Sequence, residues 1–268
     1  MFKERLISGI VMVIILIATV GYGGNVLFAV VGIVSLIGMS ELYKVFKVEN
    51  KALGVTGYLA AIAYYAMLLL EKTEWMIPLT LLFLILVMAV YVFTYPTFTA
   101  EQVMAVFFGF FYVSVMLSYV YQTRMLAEGA VLVWLIFLSS WGCDTCAYCV
   151  GVLFGKHKMA PKLSPKKSIE GGVGGILGAA LLGALFALAV NQWAGVTVNP
   201  LQYALLCGVG GMISQIGDLA ASGIKRNHGI KDYGKLIPGH GGILDRFDSV
   251  IITAPIIYYL SMILGGTL

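Results

Sequence analysis

Long runs of apolar residues alternate with short polar breaks along most of this chain, and the runs are longer than soluble helices need. A helix requires about 20 mostly apolar residues to cross a bilayer. That length is met at roughly residues 5–23, 26–46, 52–70, 75–95, 102–122, 130–153, 172–193, 200–222 and 249–266. The weakest division lies between the first two, where only Gly21–Asn25 separates the runs. The pattern predicts an all-α, polytopic integral membrane protein with about nine transmembrane helices. Met1–Arg5 and the apolar run Leu6–Val20 have the outline of a signal peptide, but no small-x-small cleavage site follows and further spans do. The run therefore reads as a retained first helix.

Charge placement orients these spans. With the N-terminus in the cytoplasm and the C-terminus outside, 15 of the 17 basic residues fall on the inner side, as the positive-inside rule requires. They are Lys3 and Arg5, then Lys44, Lys47 and Lys51, then Lys156, Lys158, Lys162, Lys166 and Lys167, and finally Lys225, Arg226, Lys231, Lys235 and Arg246. Only Lys72 and Arg124 fall outside. The outer loops are short, and the two long polar segments, 154–171 and 223–248, both face the cytoplasm. Residues 1–129, spans one to five, are bland; residues 130–268, spans six to nine with both polar segments, carry the candidate chemistry. Composition agrees: 60% of residues are hydrophobic and 11% charged, against about 25% charged in soluble domains. The net charge of +4 is small, and no nucleic-acid partner is expected.

Charges inside the apolar runs are the first sign of function. Asp144 falls in mid-span, where a carboxylate costs about 2.5–3.5 kcal/mol on insertion scales. Such a residue faces a cavity, an ion or a partner; the plain alternative is a protonated Asp bonded to a neighbouring helix. Asp218, near the inner end of the eighth span, is similar, with snorkelling to the interface as its alternative. Cys143, Cys146 and Cys149 follow a C-x-x-C-x-x-C spacing. A metal or redox site is open to them, but small apolar packing residues are the commoner use of free Cys. The glycines of Gly171–Gly178 and Gly208–Gly211 allow close helix approach.

The polar segments are richer. Ser164-Pro-Lys-Lys-Ser-Ile-Glu-Gly-Gly172 places two lysines and two hydroxyls just before a Gly-rich helix start. Ammonium groups there would neutralise a polyphosphate and helix-start N–H groups would bind it; an ordinary basic loop is the alternative. Gly217–Ser249 holds four Asp, two His, seven Gly and five basic residues, too dense for a plain tether between spans. Asp245 and Asp248 lie three apart, on one face of any helix, and carboxylates with substrate phosphates suit Mg²⁺. Pro238-Gly-His-Gly-Gly242 is a turn that lets backbone approach phosphate, and Lys225, Arg226, Lys231 and Arg246 supply cations.

The run from Ser222-Gly-Ile-Lys-Arg226 through Lys231-Asp-Tyr-Gly234 and Ile237-Pro-Gly-His-Gly-Gly-Ile-Leu-Asp-Arg-Phe-Asp248 resembles the signature of phosphatidate cytidylyltransferases, or CDP-diacylglycerol synthases. Trp141-Gly-Cys-Asp-Thr-Cys-Ala-Tyr148, Phe154-Gly-Lys156 and Ser164–Gly171 resemble that family as well, so the likeness covers roughly Leu135–Ser249. One departure is visible: Ala221 stands where the family commonly has an acidic residue. The resemblance implies CTP and phosphatidic acid as substrates, CDP-diacylglycerol and pyrophosphate as products, Mg²⁺ as cofactor, and membrane lipids and a second copy of the chain (a homodimer) as partners. The compact architecture, read as having no organelle presequence, leads to the expectation of a bacterial cytoplasmic (inner) membrane location. By that resemblance Asp144, Asp218, Asp245 and Asp248 would bind metal, with Asp232 in the catalytic set. Lys166, Lys167, Lys225, Arg226, Lys231 and Arg246 would meet phosphates. Ser164, Ser168, Glu170, Gly171, Ser222, Gly239 and Gly241 would line the substrate site. His240 would donate to pyrophosphate or merely stabilise its turn; His157 and His228 read as loop residues. Two alternatives stay open: a CTP-dependent transferase or kinase for another lipid, and an ion-coupled transporter, which would want its charges nearer the midplane.

Overall fold

The structure, a computed structural model, describes residues 2–265, with side chains over 6–264. The side chains of Lys3 and Arg5, counted above on the inner side, lie outside the described residues. The helices are α1 (Phe2–Tyr22), α2 (Gly24–Val45), α3 (Ala52–Leu69), α4 (Thr73–Phe93), α5 (Ala100–Arg124) and α6 (Gly129–Phe154). After a short antiparallel hairpin, β1 (Lys158–Ala160) and β2 (Ser164–Ser168), come α7 (Ile169–Trp193), α8 (Pro200–Asn227) and α9 (Leu244–Gly265). Among the described residues eight of these helices are long and apolar enough to cross a membrane, and α1 adds a shorter apolar stretch, Leu6–Tyr22. The all-α polytopic expectation therefore holds. Side chains such as Ile14, Leu82, Ile85, Leu177 and Leu181 are exposed, as lipid contact requires.

The weak division between the first two spans is made by Gly23 and Gly24, both at positive φ (70° and 50°), where an α-helix ends and a Cβ would be strained. Arg124 seals that end by donating its Nε–H to the Val20 carbonyl at 3.2 Å. This gives one of the two basic residues that break the charge pattern a local task. The helices also run further into the polar segments than hydropathy implies. The eighth span ends at Asn227 rather than 222, and the ninth begins at Leu244 rather than 249. Lys225 and Arg226 in the last turn of α8 and Asp245 in the first turn of α9 suit the helix dipole. Part of the 154–171 segment, read above as loop, is the hairpin, with Lys158 opposite Ser168 and Ala160 opposite Ser164.

The chain forms two compact units. The first comprises, of the described residues, 2–19, 25–118 and 232–246. Its centre is Tyr43, fully buried, whose hydroxyl donates to the Val106 carbonyl at 2.7 Å and whose ring fills the space left by Gly57 and Gly109. Ser35 and Tyr65 pair at 2.7 Å in the same unit. In lipid such groups must be satisfied internally. The second unit comprises, of the described residues, 20–24, 119–231 and 247–265. Its core is the packing of α6, α7 and α8 on glycines. A Cβ at Gly175 would sit 2.9 Å from Ala147 Cβ and one at Gly211 3.0 Å from Ala179 Cβ. The glycine runs serve close helix approach, as their spacing implied. A π-helical turn, Leu138–Gly142, shifts the register of α6 just before Cys143 and Asp144.

Candidate active site

Within the second unit, α6, the hairpin, α7 and α8 enclose a cavity of about 420 Å³, in the range of small-molecule sites. Asp144, Lys166, Lys167, Ser168, Gly171 and Asp218 all line it. The sequence had offered these from three separate stretches, and packing brings them together. Ser168 is the N-cap of α7: its Oγ accepts the Gly171 N–H at 3.1 Å, a common way of satisfying a helix start, and its own hydroxyl proton can still be donated. Gly171 is tightly placed, since a Cβ would meet the Ala147 carbonyl at 2.8 Å. Lys167 forms an ion pair with Asp218, each about 25% exposed. Gln215 fixes α8 to α7 by donating to the Gly172 carbonyl at 2.9 Å. Glu170 faces back toward the hairpin, where its carboxylate pairs with His157 Nδ1 at 2.6 Å and accepts the N–H groups of Lys156 and His157. His157, read as a plain loop residue, is its partner.

Asp248 is buried in the same unit at 6% exposure. The charges acting on it are the carboxylates of Asp218 and Asp144 and the ammonium of Lys225, itself 9% exposed. Gly217 permits this approach of α8 and α9, because a Cβ there would lie 2.9 Å from the Asp248 carbonyl oxygen. Asp144, Asp218 and Asp248 thus lie near Lys166, Lys167 and Lys225, and of the three carboxylates only Asp248 is buried. Among the described residues no three His, Cys, Asp or Glu converge closely enough to form a metal cage by themselves. One or two carboxylates completed by substrate oxygens and water is how Mg²⁺ is usually held, and Asp144, Asp218 and Asp248 fit that donor set.

Asp245 lies in the first unit. Its Oδ2 accepts the N–H groups of Tyr233 at 2.7 Å and Gly242 at 3.0 Å, and so ties the turn that precedes α9. Gly239 and Gly241 both have positive φ (76° and 91°), which only glycine adopts easily. His240 Nδ1 lies 2.8 Å from Ser8 Oγ, and Ser8 also donates to the Pro238 carbonyl at 3.0 Å. The turn-stabilising role for His240 therefore has visible partners. Lys231, Asp232 and Arg226 are exposed, with Arg226 Nη1 donating to the Ile230 carbonyl at 3.3 Å. Ser164, Ser222 and Arg246 are partly buried. Ala221 is fully buried, where a carboxylate would need a partner. Of the cysteines, Cys143 is buried against the Gly211 carbonyl, Cys146 is intermediate and Cys149 exposed, and among the described residues they form no metal-holding group.

Glu41 was missed by the sequence reading, which treated its span as bland. It is 5% exposed and accepts the N–H groups of Ile243 at 3.0 Å and Leu244 at 2.8 Å. The cost argument that singled out Asp144 applies equally to Glu41 and would have found it.

The Cytidylyltransferase family matches this chain over residues 3–264. The chain is similar to the phosphatidate cytidylyltransferase of Staphylococcus epidermidis, 34% identical over 263 residues that cover 96% of this chain and 98% of that protein. It is 32% identical over 266 residues to the Staphylococcus aureus protein of the same name, with the same coverage. The Staphylococcus saprophyticus protein, also so named, is 30% identical over 263 residues, again covering 96% and 98%.

Proposed function

The chain belongs to the cytidylyltransferase family, and we propose that it makes CDP-diacylglycerol and pyrophosphate from CTP and phosphatidate at the cavity lined by Asp144, Lys167 and Asp218. The meeting of Lys166, Lys167 and Ser168 with two membrane-embedded carboxylates around one cavity carries this reading. A phosphate oxygen of phosphatidate forms the new bond to the α-phosphorus of CTP, and the bond from that phosphorus to the bridging oxygen of pyrophosphate breaks. The acceptor is already an anion, so no serine or cysteine nucleophile is needed. Such transfers demand positioning and charge neutralisation.

Lys166 and Lys167 would hold the CTP phosphates, with Lys167 exchanging its ion pair for the nucleotide. Ser168 would donate its hydroxyl proton to a phosphate oxygen. Lys225 would offset part of the charge at Asp248. Mg²⁺ held by Asp144, Asp218 and Asp248 would neutralise phosphate oxygens. We place the site on the cytoplasmic side of a bacterial cytoplasmic membrane, supported by the distribution of basic residues, and the working assembly as a homodimer, supported by the family likeness. Purified protein given CTP, phosphatidate and Mg²⁺ should release pyrophosphate in proportion to the CDP-diacylglycerol formed. Release that does not depend on phosphatidate would overturn the reading.

A further inference from the structure

We propose that Glu41, in the second membrane span, is a positioning residue for this reaction: it clasps the start of α9 by two backbone N–H groups and so fixes the first turn of the helix that carries Asp248. The first N–H groups of a helix have no partner within it. Here Ile243 and Leu244 give theirs to Glu41 Oε1 and Oε2, while Gly242 gives its own to Asp245. Two carboxylates 204 positions apart along the chain therefore divide three consecutive amides between them. A negative charge at the positive end of a helix is favoured, the more so in a site shielded from water. The neighbouring backbone is shaped to admit it, since a Cβ at Gly234 or at Gly242 would collide with the Glu41 carboxylate. Glu41 is kept out of water at 5% exposure, where its charge needs such donors.

The proposal rests on the cytidylyltransferase reading, and its test has one arm that does not. Glu41→Gln and Glu41→Ala would be compared with wild type, with the exposed Glu101→Gln as control, for kcat, for KM toward CTP and phosphatidate, and for amide hydrogen exchange over residues 233–244. Removing an outer partner of this kind typically costs 10–100-fold, so Glu41→Ala should lose roughly that factor in kcat. Both KM values should stay within about threefold, which separates lost positioning from lost binding. Glu41→Gln, keeping one acceptor oxygen, should fall between. Exchange should quicken over 233–244 and not elsewhere. Gly242→Ala should reproduce this signature by displacing the carboxylate, and carries the test if Glu41→Ala does not fold. Wild-type kcat in a folded Glu41→Ala, or exchange that quickens throughout the chain, would overturn the proposal. A wild-type protein without activity would instead sink the functional reading, and the exchange arm would still decide whether Glu41 holds the turn.

Discussion

The carboxylates of this protein carry different burdens because their surroundings differ. Asp218 faces the cavity paired with Lys167, whereas Asp248 is buried near Lys225. Asp245 spends one oxygen on two backbone amides. Replacing Asp218 or Asp248 by Asn keeps the shape and removes the charge. Each variant is expected to lower kcat by roughly 100-fold or more, the usual loss when a group that balances charge in the transition state is removed. A folded variant with wild-type turnover, measured by pyrophosphate release, would remove that residue from the metal set. At this scale the sequence was informative about residue types but not about pairing. Asp144 and Asp218 were legible because charge in an apolar run is costly, yet Glu41 obeys the same rule and was passed over amid apolar neighbours. The partnership of Glu170 with His157 was not legible, because it depends on a hairpin too short to leave a pattern.

Helices were legible as spans and less so at their ends. Hydropathy locates apolar runs, but the last turn of α8 and the first of α9 are polar and are stabilised by caps, dipoles and tertiary contacts that hydropathy ignores. The glycines of α7 show how a composition signal becomes geometry. Gly175 lies against Ala147 and Cys143, and Gly178 against Cys146, so α6 and α7 pack almost backbone to backbone. Gly175→Leu or Gly178→Leu should separate them, destabilising the fold by about 1–3 kcal/mol or more and lowering the thermal unfolding midpoint in detergent. Gly208→Ala, whose Cβ would meet Ala180 at an ordinary 3.4 Å, should leave that midpoint nearly unchanged. If the Leu variants melt with wild type, the seam between α6 and α7 is looser than described.

For the whole chain the question is sidedness. The charge pattern puts Lys156–Lys167 in the cytoplasm and Lys72, which is exposed, outside. Trypsin added to the outer face of intact spheroplasts should therefore cut after Lys72 and spare the hairpin segment, while inverted vesicles should lose it. The reverse pattern would turn the protein over and separate the cavity from CTP. Residence in lipid, the number of apolar runs and the family motif were all readable from the sequence. Partition into a bilayer is a sum over neighbouring residues, and a motif is a property of order along the chain. Tertiary structure alone decided which charges meet. Lys167 reaches Asp218, Asp248 is buried among the charges of Asp144, Asp218 and Lys225, and Glu41 finds the amide of Leu244, 203 residues away. Those meetings depend on how closely helices pack, and that distance is set by glycines and register shifts that no one-dimensional pattern measures.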